Sequence, residues 1–427
     1  MLLITMTRLP REGRNKTRLI PALGAAGAMH FHDRLARHAI GRASSFCMTE
    51  KHRRLRVCIE GGTPIEARTW LGDDSLDCRE QAQGDLGVRM ETAAREAFAE
   101  GVKKVMIIGT DCPSIDEVTL AAAEAALDTS DLIYIPALDG GYVMIGMSKL
   151  VPEVFHHIPW GGDEVLEKSL AAASLAGAQV QLLDPLPDVD LPEDLPAAIH
   201  ALQQGATVSV IIPTYHEETG ITPLLKTVAE SSPHEIIVSD GGSSDRTVKL
   251  ATAAGATVIS SAKGRAVQMN AGARAASGEF LLFLHADTVP PADFQEIIAR
   301  TLRRPNTPAG AFSFKLSGDF SAAALIEGLT AVRCKFASKP YGDQGIFIRR
   351  CLFEAVGGFP EIPVMEDLNL IRRLSRLGTL RIAPESALTS PRRWQQGGLV
   401  RTFIRHQLML AAHTMNLPAR WIAKMRA

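Results

Sequence analysis

Short apolar runs that stop at a polar or small residue recur along this chain, and they predict the buried strands of an α/β fold. Between them lie amphipathic stretches, and we expect helices over residues 91–100, 197–204 and 224–230. In the second half, this alternation predicts a parallel sheet, and Pro213 is expected to end a strand at Ile212. The predicted strands cover residues 2–6, 105–108, 132–135, 208–212, 235–239 and 280–284.

The length of 427 residues exceeds what one hydrophobic core usually supports, so two domains are expected. A short break near Gly205 separates a closing helix from a new strand. We therefore predict domains over residues 1–204 and 207–427. No long low-complexity linker joins them.

Composition is that of an ordinary globular protein, with 46% apolar and 22% charged residues. The net charge of −1 gives no global attraction to nucleic acid. The six cysteines form no CxxC pair, which favours reduced thiols over a zinc site or a disulfide framework. No apolar run resembles a signal peptide or reaches transmembrane length, so a cytoplasmic location is expected.

The tail beyond Glu385 contains basic residues and no acidic residue, with apolar positions at helical spacing. This pattern predicts a helix that packs on the second domain. A peripheral contact with the inner membrane face is the alternative, because basic amphipathic helices bind anionic lipid.

The sharpest chemical signal follows the apolar run that ends at Leu284, where His285-Ala286-Asp287 stands before Thr288 and two prolines. Ligands of α/β folds bind outside the carboxyl ends of the strands. If this segment is extended, His285 and Asp287 point the same way and can face one cation that holds a diphosphate. The alternative is a strand followed by a capping aspartate.

The first half carries a comparable set of residues. A strand leads into a basic loop with Arg8, Gly13, Lys16 and Arg18, which suits a phosphate ligand, although it lacks the P-loop pattern. A solvated basic loop is the alternative. Acidic residues follow later strands, and Asp188 or Asp190 could complete a metal site begun by Asp111. The glycines of Asp139-Gly140-Gly141 would let the backbone approach a ligand closely.

Five motifs in this half carry a family resemblance. Residues 1–200 resemble the GT-A-type transferases of the DUF2064 family, which are related to nucleotidyltransferases that make molybdenum-cofactor dinucleotides and guanylylated phospholactate. The motifs are residues 13–19 (GRNKTRL), 83–90 (QGDLGVRM), 109–113 (GTDCP), 139–142 (DGGY) and 190–195 (DLPEDL).

The second half resembles family 2 inverting glycosyltransferases of the GT-A fold over residues 208–394. Its departures are His216 where an asparagine is usual, His-Ala-Asp in place of Asp-x-Asp, and Ser390 in place of a glutamine. The matching segments are residues 212–218, 240–247, 263–278, 285–287, 342–345, 366–367 and 393–394.

Together the resemblances imply two tandem α/β domains of the GT-A (nucleotide-diphospho-sugar transferase, Rossmann-like) fold. Families of both kinds are associated with arsenosugar biosynthesis. The implied catalytic residues are Asp367, as the base, and Glu366; the alternative for Asp367 is support of a helix start. The implied cofactor is Mg²⁺ or Mn²⁺. The implied donor-binding residues are Pro213, Tyr215, Glu217, Asp240, Lys263, Arg265, Gln268, Asn270, Asp287, Arg393 and Trp394. The first domain would bind substrate through Arg8, Gly13, Lys16, Arg18, Asp111, Asp139, Gly140 and Gly141. The metal ligands would be Asp287, His285, Asp111 and Asp190.

The expected function is a metal-dependent glycosyltransferase that takes a nucleotide-sugar donor and an unknown small-molecule or lipid acceptor, and does not bind nucleic acid. The first domain would be a second transferase, either a glycosyltransferase or a nucleotidyltransferase that activates a sugar phosphate. Its alternative is a non-catalytic nucleotide-binding scaffold. A nucleotide-sugar sensor without turnover is a third reading.

Overall fold

The computed structural model describes residues 1–204, 207–318 and 342–391, together with Arg405, Leu408, Met409 and Ala412. The chain divides into two compact units. The N-terminal unit comprises Met1–Gly205 and Arg303–Asn306, and the C-terminal unit comprises Ala206–Leu302 and Thr307–Ala427.

The N-terminal unit is built on a seven-stranded sheet in the order β3-β2-β1-β4-β6-β5-β7. Only β6 runs antiparallel to its neighbours. Its strands are β1 Leu2–Arg8, β2 Arg54–Glu60, β3 Asp77–Glu80, β4 Val105–Ile108, β5 Leu132–Pro136, β6 Tyr142–Met147 and β7 Val180–Leu182. The apolar runs become central strands because both faces of the sheet are covered and their side chains are buried.

Helices connect the strands of this unit. They are α1 Ile20–Met48, interrupted at Gly24, α2 Pro64–Leu71, α3 Leu86–Ala99, α4 Glu117–Ala126, α5 Val165–Leu175 and α6 Leu195–Gln204. Thr63, Asp85 and Asp116 cap α2, α3 and α4 by accepting bonds from the first-turn backbone. These caps place the helix starts immediately after the loops that leave the sheet.

The C-terminal unit contains an eight-stranded sheet in the order β10-β9-β8-β11-β14-β13-β15-β12. Here β14 runs antiparallel to both β11 and β13, and β12 runs antiparallel to β15. The strands are β8 Val208–Thr214, β9 Glu235–Asp240, β10 Thr257–Ser260, β11 Phe280–Phe283, β12 Thr288–Val289, β13 Ala309–Leu316, β14 Ile346–Arg349 and β15 Arg381–Thr389.

Six described helices accompany this sheet. They are α7 Ile221–Glu230, α8 Thr247–Ala253, α9 Arg265–Ala275, α10 Phe294–Leu302, α11 Arg350–Ala355 and α12 Glu366–Leu374. The apolar faces of α7 and α10 pack on β8, β11 and β14 in the main core, which includes Phe280, Phe294 and Phe347. Both units are thus α/β with mixed sheets, which confirms the predicted fold class and is consistent with tandem GT-A-like domains.

Two strand predictions were wrong in detail. Each sheet contains antiparallel pairs, so the prediction of a parallel sheet in the second half does not hold throughout. Pro213 does not end its strand, because β8 continues to Thr214. Pro213 pairs with Ser239 on β9, whereas the neighbour on the other side, β11, has already reached its end at Phe283 opposite Ile211. A proline is tolerated where the ladder on one side has stopped.

Strand order reverses between β1 and β4 in the first sheet and between β8 and β11 in the second. Such a reversal opens a crevice at the carboxyl ends of the two strands, where α/β folds bind ligands. The loops after β1 and β4, and after β8 and β11, therefore define where a site is expected in each unit. Within the described residues, no helix combines the length and the apolar character needed to cross a membrane.

Candidate functional site

Residues from three separate segments meet at the end of β11 in the C-terminal unit. The Gly342 N–H donates to Asp367 Oδ2 at 2.9 Å, and the Leu368 N–H donates to Asp367 Oδ1 at 2.8 Å. A Cβ on Gly342 would lie 2.7 Å from His285 Nε2 and 3.5 Å from Asp367 Oδ2. The structure thus brings Asp367 and the segment after β11 to one place, and it fixes both oxygens of that carboxylate.

Arg265, the first residue of α9, joins this group. Its Nε donates to Glu366 Oε1, and its Nη1 lies 3.5 Å from His285 Nε2. The Glu366 side chain is only 1% exposed. Burial raises the pKa of Glu366, and the attraction of Arg265 opposes that rise without cancelling it.

The segment 285–287 is not extended, which corrects the sequence-based expectation. The Thr288 N–H donates to the His285 carbonyl at 3.1 Å, so residues 285–288 form a turn. The alternation of side chains in a strand therefore does not apply to His285 and Asp287. His285 faces Arg265 through Nε2, and Asp287 is half-buried with Oδ1 accepting from the Thr288 hydroxyl at 3.4 Å.

The two predicted metal ligands, Asp287 and His285, differ in the ligand atoms that they offer and in their neighbours. Asp287 offers a carboxylate, the ligand type that Mg²⁺ and Mn²⁺ prefer. In the described residues, no cation is paired with it. His285 Nε2 lies beside the Arg265 guanidinium, and a second cation bound to that nitrogen would be repelled. The residues present therefore fit a divalent cation at Asp287 better than one at His285 Nε2.

Asp240, at the end of β9, organises the loop next to β8. Its carboxylate is 4% exposed and accepts bonds from the Gly242 N–H, the Ser243 N–H and hydroxyl, and the Thr214 hydroxyl, at 2.6–3.1 Å. Burial favours a higher pKa, but these bonds outweigh it and hold the pKa of Asp240 below its ordinary value. Asp240 is therefore a charged, immobile anchor for the 240–245 loop.

Side chains of the β8 loop stand near that anchor. Lys263 Nζ lies 3.7 Å from the centroid of the Tyr215 ring, and Tyr215 packs edge-on against His216 at 4.1 Å. His216 has a positive φ of 57°, a conformation that histidine adopts more readily than most residues, and its N–H donates to Ser243 Oγ. The Glu217 N–H donates to the Thr247 hydroxyl at 2.8 Å. An aromatic and basic surface therefore borders the Asp240 loop.

Two predicted donor-binding residues bond the protein's own backbone. Gln268 Nε2 donates to the carbonyls of Thr214 and Ser239, at 2.7 and 2.9 Å. Asn270 donates to the Phe359 carbonyl and accepts from the Phe359 N–H. Both side chains are buried; Gln268 holds α9 against the ends of β8 and β9, and Asn270 holds it against the loop between α11 and α12. Arg393 and Trp394 lie outside the described residues.

The N-terminal unit gathers a second set of charges at its own reversal point. Lys16 Nζ lies 3.1 Å from both Asp111 Oδ1 and Asp190 Oδ1 and also donates to the Val189 carbonyl. Its side chain is 7% exposed. Burial alone would lower the pKa of Lys16, but the two carboxylates outweigh it and the pKa is raised. Arg18 pairs with the other oxygen of Asp190 at 3.2 Å.

Three carboxylates of this unit could share a cation. Asp139, Asp188 and Asp190 each offer an oxygen, and these oxygens lie within 4.8 Å of one another. Burial, with a contribution from Asp139, raises the pKa of Asp188 to about 6. The predicted ligand Asp111 is not in this group; like Asp190, it pairs with Lys16. Asp188, which the sequence offered only as an alternative to Asp190, is in it.

The remaining predicted residues of this unit shape its loops. Gly140 has a φ of +93°, and a Cβ there would lie 2.0 Å from the Asp163 carbonyl oxygen, so this position requires glycine. The Gly141 N–H donates to Asp139 Oδ1 at 3.0 Å. Arg8 pairs with Glu60 at 2.6 Å, and Gly13 has a φ of +74° with open space around it.

Comparison with known proteins bears on both halves. Residues 209–326 match the family model described as glycosyl transferase family 2. The C-terminal half is therefore similar to glycosyltransferase family 2 over this segment. Residues 45–162 match the model described as uncharacterized protein conserved in bacteria (DUF2064). No curated protein matches the chain.

Among solved structures, similarity extends to a Desulfovibrio desulfuricans G20 protein described as a nucleotide-diphospho-sugar transferase, at 26% identity over 48% of this chain and 97% of that chain, with a TM-score of 0.41. Glucosyl-3-phosphoglycerate synthase from Mycobacterium tuberculosis, with Mn²⁺, UDP and glucosyl-3-phosphoglycerate, is 21% identical over 52% of this chain and 84% of that chain, with a TM-score of 0.38. Staphylococcus aureus TarS 1-349 with UDP-GlcNAc is 19% identical over 43% of this chain and 58% of that chain, with a TM-score of 0.36.

These TM-scores are below 0.5, so the fold assignment depends on the sheets and the family matches. The two family matches support the resemblances seen in the sequence. The association with arsenosugar biosynthesis stays a prediction.

Proposed function

We propose that the C-terminal unit transfers a sugar from a nucleoside diphosphate sugar to an acceptor hydroxyl, with inversion and with the help of a divalent cation. The family match supports a nucleotide-sugar glycosyltransferase. The observation that carries the finer proposal is the position of Asp367, whose carboxylate is fixed by the Gly342 and Leu368 N–H groups beside the residues that follow β11.

In this proposal Asp367 is the general base. It takes the proton from the acceptor hydroxyl as the hydroxyl oxygen forms a bond to the anomeric carbon. The bond from that carbon to the diphosphate breaks on the opposite face, and the nucleoside diphosphate leaves with the bonding electrons. Two backbone N–H donors hold the Asp367 carboxylate in the first turn of α12, so both of its oxygens are fixed in position.

The donor would lie across the crevice between the loops after β8 and β11. Tyr215, Pro213, Glu217 and the Asp240 loop would receive the nucleoside, and Lys263 and Arg265 would contact the diphosphate. Asp287 would hold the cation, which when bound neutralises charge that develops on the leaving diphosphate. Gln268 and Asn270 would act by fixing α9, because their polar atoms are engaged with backbone.

The test is a screen of nucleotide sugars for release of nucleoside diphosphate by the full chain, with Mg²⁺, Mn²⁺ or a chelator. We expect release that depends on the cation. In Asp367→Asn, turnover should fall by about 100-fold or more, the usual contribution of a general base, and UDP affinity should stay near that of the wild type. Unchanged turnover in Asp367→Asn would assign the base to another residue.

For the N-terminal unit we propose a second nucleotide-using transferase, namely a nucleotidyltransferase that activates a sugar phosphate for use by the C-terminal unit. The support is the buried Lys16 in the loop after β1, which pairs with Asp190, one of three carboxylates that can share a cation. Lys16 and Arg18 would contact phosphate, and Asp139, Asp188 and Asp190 would hold Mg²⁺ or Mn²⁺.

Pyrophosphate release from nucleoside triphosphates and sugar phosphates tests this role, with the full-length Asp367→Asn variant as enzyme so that the other reaction is suppressed. Loss of that release in Asp139→Asn would support catalysis. A non-catalytic scaffold is the alternative, and it predicts full overall activity in both Asp111→Asn and Asp139→Asn. We further propose a cytoplasmic enzyme whose acceptor is a small molecule or a lipid.

A further inference from the structure

Arg265 and the buried Glu366 form an ion pair next to the proposed base. The two residues are 101 positions apart and belong to the first turns of α9 and α12. Glu366 is adjacent to Asp367 in sequence, but its carboxylate is 1% exposed, so an acceptor hydroxyl cannot reach it without rearrangement. This geometry separates the roles of the two neighbouring acids.

The hydrogen bonds define which edge of the guanidinium remains available. Glu366 Oε1 accepts from Arg265 Nε, and Nη1 lies 3.5 Å from His285 Nε2. Within the described residues, Nη2 has no hydrogen-bond partner, and the Arg265 side chain is 31% exposed. An arginine anchored through Nε presents its two Nη groups as a fork, which is the arrangement that binds two phosphate oxygens at once.

A second observation concerns the anchor. Glu366 Oε2 is buried and has no hydrogen-bond donor within the described part of the chain. A buried carboxylate oxygen without a donor is costly, so its retention calls for a structural or functional reason. The only described cation that Glu366 contacts is Arg265. The carboxylate is therefore placed to hold the guanidinium and is poorly placed to exchange a proton with substrate.

We propose that Glu366 is a positioning residue that fixes the Arg265 guanidinium at the end of β11, and that Arg265 binds the diphosphate of the donor with its Nη edge. This inference rests on the proposed function, and it assigns to Glu366 a role different from that of a catalytic acid or base. Because Arg265 also faces His285, the pair connects α12 to the segment that carries Asp287.

The experiment measures binding of UDP, ADP, GDP and CDP with MnCl₂ to the full-length protein by calorimetry, with unfolding midpoints and the kinetics of donor consumption. The variants are Glu366→Gln, Arg265→Lys and the double variant. Glu354→Gln is the matched control, since Glu354 is 61% exposed and pairs with Arg350 at 3.6 Å within one helix. Arg265→Lys keeps the charge and removes the fork.

We expect Glu366→Gln and Arg265→Lys each to weaken binding of the preferred nucleoside diphosphate by about 10- to 100-fold, the usual effect of losing a charge-assisted bond. The double variant should lose little more than either single variant, because both changes disrupt one arrangement. The KM for the donor should rise in both variants, and Glu354→Gln should bind like the wild type.

Five results would overturn the inference. Glu366→Gln that binds the diphosphate normally but loses turnover would make Glu366 a catalytic acid or base. A fall in unfolding midpoint with unchanged affinity would make the pair purely structural. If the losses of affinity in the two single variants add in the double variant, the two residues act independently. If Glu366→Gln does not fold, normal affinity in a folded Arg265→Lys is enough to overturn it. A wild type that binds none of the four diphosphates would overturn both this inference and the proposed function.

Discussion

A single methyl group added at Gly342 should disturb the candidate site, and its effects on turnover and on the free energy of unfolding can be measured separately. A Cβ at this position would lie 2.7 Å from His285 Nε2, 2.9 Å from His285 Cε1 and 3.5 Å from Asp367 Oδ2. Contacts to a methyl carbon normally begin near 3.4 Å, so in Gly342→Ala the imidazole has to move by about 0.7 Å or more. Gly342 does not have a positive φ, and therefore the substitution introduces no backbone strain.

The magnitude of the effect follows from two opposing contributions. Overpacking costs about 1–3 kcal/mol, and the lower entropy of the unfolded alanine chain returns about 0.4–1 kcal/mol. The free energy of unfolding should therefore fall by up to about 2.6 kcal/mol, and by about 1.3 kcal/mol at the midpoints of the two ranges. Displacing His285 disturbs its 3.5 Å contact with Arg265, and a misplacement of this size can lower the rate about 100-fold.

Urea unfolding and nucleoside diphosphate release should be measured on the same preparations. Gly220→Ala is the matched control, because a Cβ there would meet nothing closer than the Ala286 carbonyl oxygen at 3.8 Å. We expect it to retain wild-type turnover. If Gly342→Ala turns over donor as fast as Gly220→Ala, then His285 and Asp367 do not need the arrangement seen here, and the reasoning from their contacts fails.

Two further predictions concern the N-terminal unit. Folding favours the protonated form of Asp188, whose pKa of about 6 exceeds its ordinary value of 3.8, so this carboxyl group lowers stability as pH rises through 6. In thermal unfolding without divalent cations, Asp188→Asn should therefore stabilise the protein at pH 7 and leave it unchanged at pH 3.5; equal shifts at both pH values would contradict this. The Tyr134 hydroxyl is buried without a hydrogen-bond partner in the described structure, and burial raises the pKa of Tyr134. Tyr134→Phe should be neutral or stabilising by about 1 kcal/mol in urea unfolding, whereas a loss of that size would indicate an internal water bonded to the hydroxyl.

The sequence predicted six of the fifteen described strands, where burial on both faces leaves an uninterrupted apolar run, and it missed interior strands, among them β2, β6, β13 and β14. The strand β4 Val105–Ile108 has the predicted bounds, and others differ by one or two residues. Strand direction was not predictable in the same way. Whether β14 runs parallel or antiparallel to β11 depends on pairing between residues about 70 positions apart, such as Phe280 with Arg349, and no local pattern encodes it.

The candidate site was predictable in its residue types and less so in its contacts. His285 and Asp287 belong to a turn, because the chain reverses towards β12 immediately after β11. The pairing of Lys16 with Asp111 and Asp190 joins segments about 100 and 170 residues apart. Gly342 acts through its backbone N–H and through the absence of a side chain. A search of the sequence for acidic and basic side chains does not find such a residue.

The repeated strand order has a consequence for how the two halves can be compared. Five strands of each sheet, β3-β2-β1-β4-β6 and β10-β9-β8-β11-β14, have the same order. Asp111, which follows β4, and Asp287, which follows β11, therefore occupy equivalent positions. Asp111 pairs with Lys16, whereas no described lysine or arginine pairs with Asp287. One polypeptide therefore holds an aspartate at equivalent positions of two sheets, and in the described residues only the first is paired with a lysine.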